Sequence, residues 1–271
     1  MATLKNCLPR LAAIVSAAIV ATTFCAAEAA AQHTPTWQVN YAVEVPVLLA
    51  ETALASSWFL GNRLGPPYCS PRCDSENLWG IDRFAAGWYR PAWSTASDIS
   101  ILTLFGGSLA LVAVEEGFVP MLQDAVVILE AVMGALTLSS LTNFAVDRPR
   151  PHLYGDNAPA SEQEEGRAGQ SFFSGHTASA FAAVLATFQL FRTRRGRTPL
   201  SWGVLGGGLV IASFIGTSRV LAGQHFPTDV LAGAAVGSAF GMLVPALHRP
   251  NFHLSPGTPL GGLGATLSGR F

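Results

Sequence analysis

Six long apolar runs are the feature that most constrains the fold of this chain. They cover residues 43–60, 99–114, 121–146, 177–191, 200–218 and 230–247. Of the 271 residues, 50% are hydrophobic and 12% are charged, which is too few charges for an ordinary soluble domain of this length. A helix needs about 20 apolar residues to cross a bilayer. The sequence therefore predicts an all-α, membrane-embedded bundle of about five or six helices.

Two of the runs contain charges inside their apolar stretch. The first run has two glutamates and a proline, so we expect it to lie in the interface or to pack against the bundle. The third run carries Asp124 and Glu130. These two side chains must face protein or water, because an unpaired charge facing lipid costs several kcal/mol.

Composition shifts divide the chain into four segments. Residues 1–31 combine Lys5 and Arg10 with an apolar stretch and a run of small residues, which is typical of a secretory signal peptide. An uncleaved N-terminal anchor is the alternative. The other expected segments are an N-terminal helix with an aromatic, interfacial stretch (32–97), a helical core (98–249) and a Gly/Pro-rich tail (250–271).

Cys69 and Cys73 remain if the leader is removed. Their spacing of four, with a proline between them, can close a small disulfide loop in an oxidising compartment. A two-cysteine metal site is the weaker interpretation, because no further Cys or His lies close in sequence to complete four ligands.

The basic stretch 191–197, FRTRRGR, sets the expected orientation. It lies between two apolar helices and belongs on the cytoplasmic side by the positive-inside tendency. The other ends of those helices then face outward. We expect a multi-pass protein of a bacterial inner membrane with its polar site at the periplasmic face. A net charge of -1 gives no indication of a nucleic-acid partner.

Polar residues gather at that outer face in three patches. The patches are NFAVDRPRPH (143–152), SGH (174–176) and SRVLAGQHFPTD (218–229). Guanidinium groups match phosphate oxygens in a fork, so Arg150 and Arg219 could hold one phosphate between them. Ser174 and Gly175 open a helix, where free N–H groups and the helix dipole favour an anion.

Two histidines supply candidate chemistry for this phosphate. Asp229, four residues after His225, could reach one nitrogen of the imidazole ring and leave the other free to attack phosphorus. His176 could then protonate the departing oxygen. This scheme needs no metal and no cofactor.

The three patches resemble the motifs of the type 2 phosphatidic acid phosphatase (PAP2) superfamily, which includes class A acid phosphatases and vanadium-dependent haloperoxidases. That pattern is K-x6-RP, PSGH and SR-x5-H-x3-D. The residues that match are Arg150 and Pro151, then Ser174, Gly175 and His176, then Ser218, Arg219, His225 and Asp229. The resemblance implies the helical core common to these phosphatases and haloperoxidases.

The resemblance also assigns roles. His225 would be the nucleophile that becomes a phosphohistidine, Asp229 its orienting partner and His176 the general acid. The phosphate binders would be Arg150, Ser174, Gly175 and Arg219.

The match has two departures. Phe173 stands where proline is usual, and Asn143 stands where lysine is usual. An amide can bind a phosphate oxygen but lacks the charge of lysine. Arg148 is the candidate to supply the missing cation, since it adds a guanidinium two residues before Arg150.

The function that these residues predict is hydrolysis of a lipid phosphate or pyrophosphate. Polyprenyl pyrophosphate, phosphatidic acid, phosphatidylglycerol phosphate and lipid A phosphate all fit, with membrane lipids as the surroundings. Two alternatives stay open at this point. One is a vanadium-dependent haloperoxidase, and the other is a non-catalytic module that binds or transports lipid phosphates.

Overall fold

The computed structural model describes residues 37–56, 69, 73–163 and 168–249, together with the backbone of two strands in the tail. Six long helices make up most of the part of the chain that is described. Their bounds are Tyr41–Ala55 (α1), Pro91–Glu116 (α3), Phe118–Val146 (α4), Gly175–Arg195 (α6), Pro199–Leu221 (α7) and Pro227–Leu247 (α8). The short elements are Gly80–Arg83 (α2), a 3-10 turn at Pro151–Tyr154, Ala160–Gln163 (α5), Phe252–Pro256 (β1) and Ala265–Gly269 (β2). The predicted all-α bundle is confirmed.

Helix α6 forms the centre of the bundle. It packs against α3, α4, α7 and α8, and most of its side chains are buried. Alanine, serine and threonine dominate its sequence, so four neighbours can approach it closely. Its hydrophobic contacts with α4 and α8 include Ala178, Ala182 and Ala186. The small side chains of the central helix therefore allow close packing against its neighbours, and most of this helix does not face lipid.

A stripe of glycines on α8 lets this helix touch α6 backbone to backbone. A Cβ atom added at Gly233 would lie 2.6 Å from the carbonyl oxygen of Ser174, and one at Gly237 would lie 2.1 Å from that of Ala178. Both distances are far below van der Waals contact. Since Ser174 begins the central helix, the stripe also fixes where that helix starts relative to α8.

Four helices surround the centre and face outward. Among the described residues, α3, α4 with the 3-10 turn that follows it, α7 and α8 are long and apolar enough to cross a membrane. Asp124 on α4 is fully buried, and both of its oxygens accept hydrogen bonds from Arg194 at 2.6 and 2.7 Å. This charge faces protein, as expected. The chain is a membrane protein.

Helix α1 is shorter than the apolar run that predicted it, and it packs along α4. Thr137 and Ser140 of α4 donate hydrogen bonds to carbonyl oxygens of α1. Trp37, just before α1, is buried with Leu190 and Phe191 near the end of α6. The N-terminal leader and its cleavage site lie outside the described residues.

The tail holds a small antiparallel hairpin. Strands β1 and β2 pair with Phe252 opposite Gly269 and Pro256 opposite Ala265. The tail thus adds two strands to the expected helical architecture, outside the bundle.

We predict that Gly237→Ala lowers the free energy of unfolding by about 1–3 kcal/mol. A methyl group at this position overlaps the Ala178 carbonyl and must push α8 away from α6. The thermal unfolding midpoint of the detergent-solubilised protein measures the effect. Gly206→Ala on α7 is the matched control, since its Cβ would meet nothing within 4 Å. Equal midpoints for the two variants would contradict the close contact.

Candidate active site

A small cavity of about 90 Å³ opens where α4 ends and α6 begins. It collects five of the residues that the sequence predicted for the phosphate site. The lining consists of Leu136, Ser139, Ser140, Asn143, Arg150, Gln170, Gly175, Arg219 and His225. Two guanidinium groups and one imidazole converge here without a lining carboxylate. Such a lining suits an oxyanion rather than a metal cation.

Both cavity arginines are buried and held by polar side chains. Arg150 is 4% exposed and donates to the Gln224 side-chain oxygen. Arg219 is 5% exposed and donates to the hydroxyl oxygens of Ser94 and Ser97 of α3 at 2.9 and 3.3 Å. These partners are an amide and two hydroxyls, and the Asp98 carboxylate also lies 3.7 Å from Arg219. The pair therefore places two guanidinium groups at the cavity.

His225 lies in the turn between α7 and α8 and presents its Nε2 side to this charge. Its Nδ1 donates to the carbonyl oxygen of Ser171 at 2.7 Å, so a neutral ring carries its lone pair on Nε2. Burial lowers the pKa of His225 well below 6.5, and the nearby Arg219 and Arg150 lower it further. The ring is thus neutral near pH 7, the state in which Nε2 carries a lone pair.

Asp229 does not make the direct bond to His225 that its spacing suggested. The distance from His225 Nδ1 to the Asp229 carboxylate is 4.0 Å, and the Ser171 carbonyl takes the place of the carboxylate. Asp229 instead accepts hydrogen bonds from the backbone N–H of Phe226 at 2.8 Å and from the Ser171 hydroxyl at 2.5 Å. It reaches back to the start of its own helix, as residues in the first turn commonly do. Asp229 is therefore connected to His225 through Ser171.

Arg148 does not supply the cation that Asn143 lacks. Its guanidinium bridges the buried carboxylates of Asp82 and Asp229 and also donates to the Thr228 hydroxyl. These two ion pairs hold the guanidinium outside the cavity lining, and they connect α2 to the start of α8.

Asn143 lines the cavity but uses its amide hydrogens elsewhere. Its Nδ2 donates to the carbonyl oxygens of Ser139 at 2.9 Å and Phe173 at 3.0 Å. The amide thereby ties the loop before α6 to the end of α4. Its Oδ1 is buried and has no hydrogen-bond partner among the described residues. Asn143 therefore has a structural role in place of the expected donation to phosphate. Its acceptor atom, Oδ1, remains near the cavity.

His176 stands beside the cavity and contacts an acid that sequence analysis missed. Its Nε2 lies 2.9 Å from Asp98 Oδ1, and the same oxygen lies 3.7 Å from Arg219. Asp98 comes 78 residues before His176, on an apolar helix, so no local spacing pairs the two. The signal available in the sequence was the serine-rich turn at the start of α3, where Ser94 and Ser97 precede Asp98.

The helix start at Ser174 and Gly175 closes the site from below. Ser174 is fully buried, and its side-chain oxygen accepts the Thr177 N–H at 3.4 Å, which caps α6. Gly175 lines the cavity, and a Cβ at this position would lie 3.3 Å from the Ser139 hydroxyl. The dipole of α6 therefore points its positive end at the cavity.

A known protein family resembles the part of the chain that forms most of this cavity. The sequence model of the PAP2 superfamily matches residues 124–253, a region that includes the described site except for the contributions of α2 and α3. This region of the chain is therefore similar to the PAP2 superfamily.

Several relatives share this PAP2 region. Lipid A 1-phosphatase from Porphyromonas gingivalis is 42% identical over 79 residues, which cover 29% of this chain and 16% of that protein. Lipid A 1-phosphatase from Rhizobium johnstonii is 33% identical over 114 residues, which cover 39% and 40%. The chain spans less than half the length of the curated relatives it matches.

Among solved structures, a transmembrane PAP2-type phosphatidylglycerolphosphate phosphatase from Bacillus subtilis aligns with a TM-score of 0.46 and 22% identity. The alignment covers 77% of this chain and 96% of that one.

We predict that Asp82→Asn destabilises the protein by about 3 kcal/mol, because it leaves the Arg148 guanidinium facing one carboxylate in a buried network. Thermal unfolding in detergent gives the change. Asp74→Asn is the matched control, since Asp74 is exposed and its bond to the Glu76 N–H survives in the amide. Equal stability of both variants would show that the bridge contributes little.

Proposed function

We propose that this protein hydrolyses the phosphate of a membrane lipid through a phosphohistidine intermediate. The observation that carries the proposal is the single small cavity lined by Arg150, Arg219 and His225, with the positive end of α6 at its base. Its volume of about 90 Å³ accommodates a phosphoryl group but not a lipid headgroup with its sugar or glycerol. The remainder of the substrate then stays at the membrane surface.

The reaction follows from the placement of the two histidines. His225 Nε2 attacks phosphorus, and the ester bond to the leaving oxygen breaks while His176 gives that oxygen a proton. Water then attacks the phosphohistidine and releases inorganic phosphate. Arg150 and Arg219 stabilise the charge on the phosphoryl oxygens in both steps, since they are fixed before substrate arrives.

Asp98 completes this scheme as a positioning residue. Its carboxylate at 2.9 Å from His176 Nε2 favours the protonated imidazole that a general acid needs. The contact also keeps the ring close to Arg219 and hence to the phosphate.

The relatives favour a particular substrate class. Two lipid A 1-phosphatases share 33% to 42% identity with parts of the PAP2 region, so a glycolipid phosphate of the lipid A type is the first candidate. Polyprenyl pyrophosphate, phosphatidic acid and phosphatidylglycerol phosphate share the same phosphoryl chemistry and are the comparison substrates.

We place the site at the periplasmic face of a bacterial inner membrane. The disulfide between Cys69 and Cys73 lies at the site end, where Cys73 packs with Leu153 and Ala168, and disulfides persist in oxidising compartments. The basic stretch that ends α6 lies at the opposite end of the bundle, as the positive-inside tendency requires of a cytoplasmic end.

Phosphate release from the four lipid classes in detergent micelles tests the proposal. The unmutated protein should release phosphate from at least one class, and His225→Ala should be slower by at least about a thousandfold. Radiolabelled phosphate trapped on His225 after acid-free quenching would identify the intermediate. Lipid binding without turnover would indicate a binding module, and halide oxidation with added vanadate would indicate a haloperoxidase; either result overturns the proposal.

We predict that kcat/KM, corrected for ionisation of the substrate, stays constant as the pH falls through 6.5. A lowered pKa means that His225 remains neutral below its ordinary titration range, so the nucleophile is lost at more acidic pH. A pH series between 4 and 9 with one lipid substrate measures the profile. An acidic limb at or above pH 6.5 would contradict the proposed environment of His225.

We predict that Asp98→Asn lowers kcat by about 10- to 100-fold with little change in KM, and moves the alkaline limb of the pH profile to lower pH. The reason is that an amide no longer stabilises the protonated His176 ring. Thr103→Ala, an exposed position on the same helix, is the control. A loss of activity with an unshifted pH profile would assign Asp98 a purely structural role.

A further inference from the structure

Three side chains of metal-ligand type converge outside the lining of the phosphate cavity. They come from three helices: Glu44 from α1, Glu130 from α4 and His248 from the end of α8. One ligand atom from each residue lies within 4.8 Å of the others. All three side chains are at least 86% buried, with exposures of 13%, 14% and 9%.

The hydrogen bonding of His248 directs its second nitrogen toward the two carboxylates. Nδ1 lies 2.9 Å from the carbonyl oxygen of Val244, which can only accept, so Nδ1 carries a hydrogen. The lone pair of the neutral ring is then on Nε2, at 3.1 Å from Glu130 Oε2 and 3.4 Å from Glu44 Oε1. Metal-ligating histidines almost always donate their other ring N–H to a backbone carbonyl, a carboxylate or water, and His248 meets this condition.

Two buried carboxylate oxygens, one in this cluster and one on Glu51, lack a hydrogen-bond partner among the described residues. Glu130 Oε2 is buried and has no hydrogen-bond partner among the described residues, in spite of its short distance to His248. Glu51, two turns after Glu44 on α1, also buries its Oε2 without a partner in the described part of the chain. Its other oxygen lies 3.2 Å from the Cβ position of Gly134, one turn after Glu130.

One proton cannot satisfy this cluster. If His248 is protonated, its single Nε2–H serves one carboxylate, and the other carboxylate must then bind a proton of its own in a bundle that lipid surrounds. A divalent ion accepts electron pairs from the imidazole and both carboxylates at once, and it cancels the charge of the two glutamates. Imidazole with carboxylates is a ligand set that suits zinc or manganese.

We propose that Glu44, Glu130 and His248 form a binding site for a divalent transition-metal ion, for which Zn²⁺ is the best fit. The ion fastens α1 to α4 and to the end of α8. It lies apart from the phosphate cavity and takes no part in the proposed reaction. Glu51 is the further carboxylate that α1 offers toward the same groove.

Calorimetric titration tests the site on the full-length protein in detergent, stripped of metal with a chelator and kept free of reductant so that the disulfide stays closed. ZnCl2 should bind one site per chain. Glu130→Gln and His248→Gln should each weaken binding by at least about tenfold. Glu76→Gln, an exposed acid, is the matched control and should bind as the parent does.

Thermal unfolding with and without ZnCl2 gives a second readout. The ion should raise the unfolding midpoint of the parent and of Glu76→Gln, and it should raise those of the site variants much less. Glu44→Gln carries the same test if a core variant fails to fold, because Glu44 lies on the peripheral helix. The absence of saturable binding to the parent, or equal binding by parent and site variants, overturns the proposal. Neither readout depends on phosphate release.

Discussion

The Asp229 carboxylate is the interaction on which the site depends. It is fully buried in the first turn of α8 and accepts hydrogen bonds from the Phe226 N–H, the Ser171 hydroxyl and Arg148. These donors belong to three segments that are distant in sequence. A buried charge tolerates little displacement of its partners. Each lost hydrogen bond leaves the charge less compensated in surroundings of low dielectric constant. The geometry of His225 is therefore set by a network that has its centre one helical turn away.

This network explains why Arg148 cannot also bind phosphate. The guanidinium lies between two carboxylates, Asp82 and Asp229, and each contact holds it away from the cavity. The positive charge at the cavity then comes from Arg150 and Arg219 and from the start of α6.

Sequence reasoning recovered the parts of this protein that local patterns encode. Apolar runs predicted all six long helices, and motif spacing brought Arg150, Gly175, Arg219 and His225 to one cavity. Prediction from spacing failed where two groups compete for the same hydrogen-bond partner. The spacing of His225 and Asp229 allows a direct bond, but the Phe226 N–H and the Ser171 hydroxyl hold the carboxylate, and the Ser171 carbonyl then takes the imidazole.

Contacts between distant segments left a weaker signal still. Asp98 and His176 come from helices that the central packing brings together, so neither spacing nor composition pairs them. The same is true of Glu44, Glu130 and His248, which in sequence read as isolated charges in or beside apolar runs. Such pairs depend on how helices rotate about their axes, and many weak contacts determine that rotation.

The glycine stripe of α8 has a consequence for substrate choice. Helices that meet through their backbones have no long side chains between them that could change rotamer to absorb a shift, so α6 and α8 move as one piece. The floor of the phosphate cavity belongs to that rigid unit. For the proposed hydrolysis of a lipid phosphate, adaptation to headgroups of different size would then come from segments outside this rigid unit. A change of lipid would leave the α6–α8 floor of the cavity unaltered.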